Sequence, residues 1–283
     1  MCMTPYSVRD KFTNDSIPVP CGKCPDCVAR RVSAWSFRLM QQDRVSNSSH
    51  FITLTYDTTH VPLTRAGYMS LNKRDVQLFL KRLRKAQCGN APSPIKYFLV
   101  GEYGEKYNRP HYHALLFNVE LRFIQPAWAL GSVYYGTVTG ASVGYTLKYM
   151  SKRGKIPMHR NDDRLPEFAL MSKRLGANYL TESMINWYMA DLENRMYCTL
   201  KDGRKITMPR YYKDKLFSDS NFETQACADL VRKRVGHLNK VRLIQEALKA
   251  EREGGPNYWR DKAENDLAAF RRMKYDASKN SKF

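Results

Sequence analysis

The sequence predicts an α+β fold: an antiparallel sheet of four to five strands backed by helices, with a cysteine cluster before it and a helical, basic extension after it. Three observations carry that prediction. Phe51-Ile-Thr-Leu-Thr-Tyr56 alternates with β-branched and aromatic residues, as a half-buried strand does. Two further strand-like runs, Ile95–Tyr103 and His111–Val119, flank a loop holding Gly104, Asn108 and Pro110, which predicts an antiparallel hairpin. Around these runs apolar residues fall at helical spacing, as in Val28, Val32, Trp35, Phe37, Leu39 and Met40.

In chain order, the first motif is Cys21-Gly-Lys-Cys24-Pro-Asp-Cys27, within a total of seven cysteines. In a reducing compartment that spacing reads as thiolate ligands for zinc, or for an iron–sulfur centre, and not as disulfides. Three thiolates leave tetrahedral zinc one ligand short, and Cys2, His50 and Cys198 are the candidates for the fourth. Lys23, Arg30 and Arg31 beside the motif suit phosphate contact. An amphipathic helix follows from Asp26 to about Asp43, its basic residues outward.

In the strand 51–56, Thr53 and Thr55 share one face and Leu54 takes the other. Asp57 and Thr58 open a loop through Pro62 and Gly67. Ser70 or Asn72 then caps a helix whose Val76, Phe79, Leu80 and Leu83 point inward, while Lys81, Arg82, Arg84 and Lys85 form a solvated face. The breaker Gly89–Pro94 ends it and the hairpin follows. A short helix is expected over 123–130, a strand over Ser132–Val138 with Tyr134 and Tyr135, and a helix over Ala141–Arg153. Met158–Asp163 reads as a linker and 180–196 as a helix with Met184, Ile185, Tyr188 and Leu192 inward. Asp202-Gly203 makes a hairpin turn between Met196–Lys201 and Arg204–Met208. A long helix rich in Lys and Arg spans 221–252, broken by Gly254-Gly255-Pro256 before a further helix from about Tyr258. The chain thus divides into a cysteine segment with its basic helix (1–48), a core (49–156) and a mostly helical, basic extension (157–283).

A formal charge of +20, a pI of about 9.7 and 12% aromatic residues are the footprint of a nucleic-acid binder more than of a metabolic enzyme. No stretch is long or apolar enough to span a bilayer, and the N-terminus lacks a signal-peptide apolar run, so a soluble, intracellular protein is expected.

Two stretches carry chemistry. His111 and His113 alternate along a strand, so both imidazoles face one way, and with a carboxylate and water they can hold a divalent ion. Glu102, at the end of the preceding strand, or Glu105, in the loop, supplies the carboxylate; Glu102 is favoured because a strand fixes a ligand more tightly. On the helix 141–153, Tyr145 and Tyr149 are four apart on one face, with Lys148 and Lys152 each three residues after a tyrosine. Neutral phenols are poor nucleophiles, and an adjacent ammonium or a metal-bound phosphate eases phenolate formation.

Phe51–Tyr56, Pro110-His-Tyr-His-Ala-Leu-Leu-Phe117 and Tyr145-Thr-Leu-Lys-Tyr-Met-Ser-Lys152 resemble, in order, the three motifs of HUH replication initiator endonucleases. Over about residues 18–217 the chain further resembles the initiators of Microviridae, small single-stranded DNA phages, and of their gokushovirus branch in particular. Pro20–Cys27 is similar to that branch's Pro-Cys-Gly-Lys-Cys-x-x-Cys opening, and Phe168–Gly176 and Pro209-Arg-Tyr-Tyr212 to its later segments. Tyr112 departs from the aliphatic residue usual between the histidines, but its side chain faces away from them. In a relaxase the tyrosine normally precedes the histidines; here it follows.

The resemblance implies an RRM-like sheet on which His111, His113 and Glu102 hold Mg²⁺ or Mn²⁺. It implies attack by Tyr145 or Tyr149 on a single-stranded phage origin, leaving a 5′-phosphotyrosine link and a 3′-OH primer, and later rejoining of strands. Lys148 and Lys152 would offset phosphate charge, and Thr53, Thr55, Arg109 and Arg153 would contact DNA. Implied partners are single-stranded and replicative-form phage DNA with host helicase and polymerase, in the cytoplasm of a bacterial host. Two alternatives come from other classes: a noncatalytic single-strand binder on the same sheet, which needs neither Glu102 nor the tyrosine pair, and a structural or packaging protein whose cysteine cluster is a zinc knuckle and whose basic tail condenses DNA.

Overall fold

The structure is a computed structural model and describes residues 2–9, 14, 16–88, 93–151 and 156–279, without the side chains of 17, 148–151, 219 and 273–279. The chain forms two compact units, Met1–Trp35 with Tyr179–Tyr275, and Ser36–Asn178 with Asp276–Phe283. The elements begin with β1 (Tyr6–Arg9), β2 (Ser16–Val19), α1 (Pro25–Arg44), β3 (Ser49–Thr55) and α2 (Lys73–Ala86). Then come β4 (Lys96–Tyr103), β5 (Pro110–Phe117), α3 (Ile124–Ala127), β6 (Val133–Thr137), α4 (Gly140–Ser151) and β7 (Phe168–Met171). The remainder is α5 (Glu182–Met189), β8 (Tyr197–Thr199), β9 (Lys205–Thr207), α6 (Arg210–Leu216), α7 (Gln225–Gly254) and α8 (Tyr258–Lys279).

The second unit is built on a five-stranded sheet of order β6-β3-β5-β4-β7 in which every pairing is antiparallel. This is the expected α+β architecture. Alternation sends Ile52, Leu54, Leu99, Tyr112, Ala114 and Leu116 to one face, where they pack on Val76, Phe79, Leu80 and Leu83 of α2, on α3 and on Trp128. Each Val, Leu, Ile or Phe side chain among them contributes about 1.5–3 kcal/mol when taken out of water. On the other face Phe98, Val100, Leu115 and Phe117 are buried, as are Val143 and Leu147 of α4. With both faces covered, β4 and β5 read as nearly continuous apolar runs instead of alternating ones.

Local chemistry sets the boundaries. Asn72, one of the two caps expected, accepts the Arg74 N–H at 2.8 Å; Ser70 instead takes the Leu165 N–H at 3.0 Å. Gly131 lies so close to β3 that a Cβ there would stand 2.2 Å from the Thr55 carbonyl oxygen, which only glycine permits.

Local pairing also shapes the segments beyond the core. Met158–Asp163 is exposed except at Asp162, which is buried and paired with the buried Arg164 through Nε at 2.8 Å and Nη2 at 2.7 Å, and whose carboxylate also takes the Met158 N–H at 2.8 Å. Asp162 and Arg164 satisfy each other, so both can be buried beside an otherwise exposed stretch. Phe168–Met171, beyond the expected core, supplies the fifth strand by pairing with β4. The short hairpin β1–β2 was not anticipated at all.

In the first unit, α5 ends at Met189 instead of running to 196, because Asp191 turns back to accept the Asn194 N–H at 3.2 Å. The hairpin β8–β9 turns at Asp202-Gly203 as expected, with Gly203 at φ +80°. Thr224 caps α7 by accepting the Cys227 N–H, and Gly255, at φ +71°, separates α7 from α8. Among the described residues no helix is long and apolar enough to cross a membrane.

Candidate active site

Pairing of β4 with β5 sets Glu102 opposite His111 and Val100 opposite His113, and pairing of β5 with β3 sets Thr53 opposite His113 and Thr55 opposite His111. Directly opposed residues share a face, so Glu102, both histidines and both threonines lie on the face that carries α4. Glu102 Oε1 stands 2.7 Å from His111 Nε2 and 3.0 Å from His113 Nε2. Glu102 and His113 are buried and His111 is half-buried. Glu105, the alternative carboxylate, is exposed in the β4–β5 loop and does not join the cluster.

Each imidazole is also held from behind. His111 Nδ1 meets the Arg109 carbonyl at 3.1 Å, and His113 Nδ1 meets Thr53 Oγ1 at 2.9 Å. A carbonyl only accepts, so His111 Nδ1 carries the proton and a neutral ring turns its Nε2 lone pair toward Glu102. Two acceptors 2.7 Å apart need a positive charge between them, either a proton or a metal ion. The titration of the pair agrees. Burial alone would raise the Glu102 carboxyl, but hydrogen bonds from His111 and His113 prevail and hold it below the ordinary carboxylate range. Burial alone would lower His111, but the Glu102 carboxylate prevails and raises it. Two imidazole nitrogens and a carboxylate oxygen, all within 4.8 Å of one another, therefore fit a divalent ion, with Thr53 and the Arg109 carbonyl fixing the rings.

Aromatic contacts complete the site. Phe51 stacks on His113 with centroids 5.8 Å apart, and the Tyr145 ring stands edge-on to His113 at 5.1 Å and to Phe51 at 6.2 Å. Tyr145 remains 43% exposed. Tyr112, as expected, faces away, its hydroxyl bonded to Tyr56 and to the Asn72 backbone.

Of the residues expected to meet DNA, Thr53 is engaged with His113, Thr55 bonds the Ser132 carbonyl at 3.1 Å, and Arg109 bonds the Tyr56 carbonyl at 2.6 Å. The side chains of Lys148 and Tyr149 lie outside the described residues, as do Lys152 and Arg153 altogether. Cys21, Cys24 and Cys27 come together with Cys2; His50 instead bonds the Val119 carbonyl at 2.9 Å, and Cys198 is buried beside Tyr179 and Tyr188. Two residues escaped the sequence reading. Phe51 shares its face with Thr53 by simple alternation, a signal that was present. Tyr134 pairs with Thr53 and is 64% exposed, which only the register of β6 reveals.

Residues 49–154 match the family model whose description opens "Replication-associated protein ORF2". The chain is 27% identical over 270 residues to "Replication-associated protein VP4" of Bdellovibrio phage phiMH2K, covering 86% of this chain and 83% of that one. It is 26% identical over 264 residues to "Replication-associated protein ORF2" of Spiroplasma virus 4, covering 86% and 80%. To "Replication-associated protein ORF4" of Chlamydia phage 1 it is 26% identical over 239 residues, covering 74% of this chain and 57% of the relative. All three relatives come from Microviridae, in agreement with the resemblance read from the motifs. No solved structure matches.

Proposed function

We infer that this chain, similar along most of its length to replication-associated proteins of Microviridae, initiates replication of a small phage genome by nicking single-stranded origin DNA through tyrosine transesterification. The observation that carries the reading is the convergence of His111, His113 and Glu102 on one point beneath Tyr145. That convergence needs Glu102, which a sheet that merely binds bases does not.

His111 Nε2, His113 Nε2 and Glu102 Oε1 would hold Mg²⁺ or Mn²⁺, which when bound withdraws charge from the scissile phosphate and orients it. Thr53 and the Arg109 carbonyl keep the two imidazoles aimed at the shared point. Tyr145 Oη loses its proton and attacks phosphorus in line; the new P–O bond to tyrosine replaces the P–O3′ bond, and the departing 3′ oxygen takes up a proton. One phosphodiester is exchanged for another, so the reverse step rejoins strands without an outside energy source. Tyr149, one helical turn on, is the second nucleophile of the pair, and Lys148 and Lys152 offset phosphate charge. The 3′-OH then primes a host polymerase, with a host helicase unwinding the replicative form.

The test is incubation of purified protein with labelled single-stranded DNA carrying the cognate origin, in Mn²⁺ or EDTA, followed by denaturing electrophoresis and mass spectrometry of adducts. A metal-dependent adduct is expected on Tyr145 or Tyr149, absent from the double Phe variant, which keeps the Tyr145 ring's packing on His113. DNA that is bound tightly with metal present, yet never cut or linked, would reduce the chain to a noncatalytic single-strand binder.

A further inference from the structure

We propose that Cys2, Cys21, Cys24 and Cys27 bind one zinc ion as a closed structural site that staples the N-terminal hairpin to the start of α1. This rests on a different cluster from the histidine centre and stands whether or not the chain nicks DNA.

The four Sγ atoms lie within 4.8 Å of one another, and those of Cys2 and Cys24 are 3.9 Å apart. Four sulfurs at about 2.3 Å from a tetrahedral ion are separated from each other by about 3.8 Å. The spacing therefore fits a single ion; an iron–sulfur cluster, whose cysteines sit on different irons, needs them farther apart. It is also far from the roughly 2.05 Å of a disulfide, and all the cysteines are free. Cys21, Cys24 and Cys27 are buried, and the half-buried Cys2 packs against them with Met3 and Phe270.

The sulfurs are also surrounded by donors. Cys21 Sγ faces the N–H groups of Lys23 at 3.4 Å and Cys24 at 3.2 Å; Cys2 Sγ faces the Cys21 N–H at 3.2 Å, and Cys24 Sγ the Met3 N–H at 3.5 Å. Arg30 Nη2 stands 3.6 Å from Cys27 Sγ. A thiol is a weak acceptor and a thiolate a strong one, so main-chain donors and a guanidinium aimed at these sulfurs stabilise the charged form that binds metal. With four protein ligands no position is left for substrate, which makes the site structural.

The consequence lies between the ligands. The hairpin β1–β2 falls between Cys2 and Cys21, and its strands are only four residues each. An isolated two-stranded hairpin is marginal in water, and an ion that ties its two ends together supplies what so short a ladder lacks.

The experiment uses the full chain carrying His111→Ala and His113→Ala, so that the histidine centre cannot contribute metal, with elemental analysis after purification in reducing buffer. One zinc per chain is expected. Cys2→Ser and Cys24→Ser should each lose it, while Cys88→Ser, Cys198→Ser and Cys227→Ser keep it. Because a ligand variant can fail by misfolding, alkylation mapped by mass spectrometry provides a second readout on the unmutated cysteines: Cys88 and Cys227, both exposed, label at once, and the four cluster thiols label only after a chelator is added. Cobalt substitution should give the charge-transfer absorption of cobalt thiolate. Iron in place of zinc, a Cys2–Cys24 disulfide, or cluster thiols that label without chelator would overturn the proposal, and zinc retained in Cys2→Ser would overturn Cys2 as the fourth ligand.

Discussion

Thr53 stands one hydrogen bond behind the candidate metal centre, its hydroxyl 2.9 Å from His113 Nδ1, and that contact makes a prediction of its own. Removing the group that orients a ligating imidazole typically lowers metal affinity about 10- to 100-fold. Thr53→Val, nearly isosteric, is expected to weaken Mn²⁺ binding by that factor with little change in thermal stability, as read by titration calorimetry; unchanged affinity would mean that the ring is held by packing on Phe51 alone. Tyr134 makes a second prediction. Its ring is 64% exposed on the same face as Thr53, where a base of the bound strand can stack. Stacking on an aromatic side chain is worth about 1–3 kcal/mol per base, so Tyr134→Ala should weaken single-strand affinity about 5- to 150-fold while leaving the rate at saturating DNA unchanged. Equal loss in both quantities would place Tyr134 in the chemistry instead.

At the level of elements, the readable parts of the sequence were those where one periodicity dominates. His-x-His on a strand, Glu102 at the end of its neighbour and the apolar stripe of α2 follow from local pattern, and pairing of β4 with β5 brings the first two together. The β3–β6 register, which places Tyr134, depends on contacts distant in sequence. Within Met158–Asp163 one residue departs from its exposed neighbours: polar composition signals exposure only where the polar groups lack partners, and Asp162 is gripped by Arg164, which itself lies over the rings of Tyr68 at 5.0 Å and Tyr103 at 5.6 Å. The pair yields a pH prediction. Hydrogen bonds from Arg164 hold the Asp162 carboxyl far below the ordinary carboxylate range, so its stabilisation is complete above the unfolded value near 3.9 and is lost as pH falls toward the folded one. The melting temperature of the wild type should therefore exceed that of Asp162→Asn at pH 7, and the gap should narrow below about pH 4; a gap constant down to pH 3 would mean that the carboxylate charge is irrelevant. The α2 cap is a simpler case. Asn72→Ala removes the acceptor for the Arg74 N–H and should cost about 1 kcal/mol in urea denaturation.

For the whole molecule the governing quantity is charge. A surplus of +20 can serve an entire DNA track or only a solvated surface, and in the helical tail part of it is paired within the protein. In α7, Arg232, Arg234 and Lys249 face the carboxylates of Asp214, Glu193 and Glu253 at 2.6, 3.1 and 3.7 Å, so part of the helix's charge is neutralised within the protein. The surplus survives that pairing, because basic residues number 47 against 27 acidic ones. If the remainder follows the backbone of single-stranded DNA, each phosphate neutralised adds about −0.7 to the slope of log affinity against log salt. Contact confined to the scissile phosphate gives a slope near −0.7, whereas three or more contacts give about −2 or steeper. The steeper value is expected here, measured by fluorescence anisotropy with an oligonucleotide in EDTA so that metal-dependent cutting does not intervene. A slope near −0.7 would confine DNA binding to the histidine centre and leave the basic tail as a hydrated helical surface.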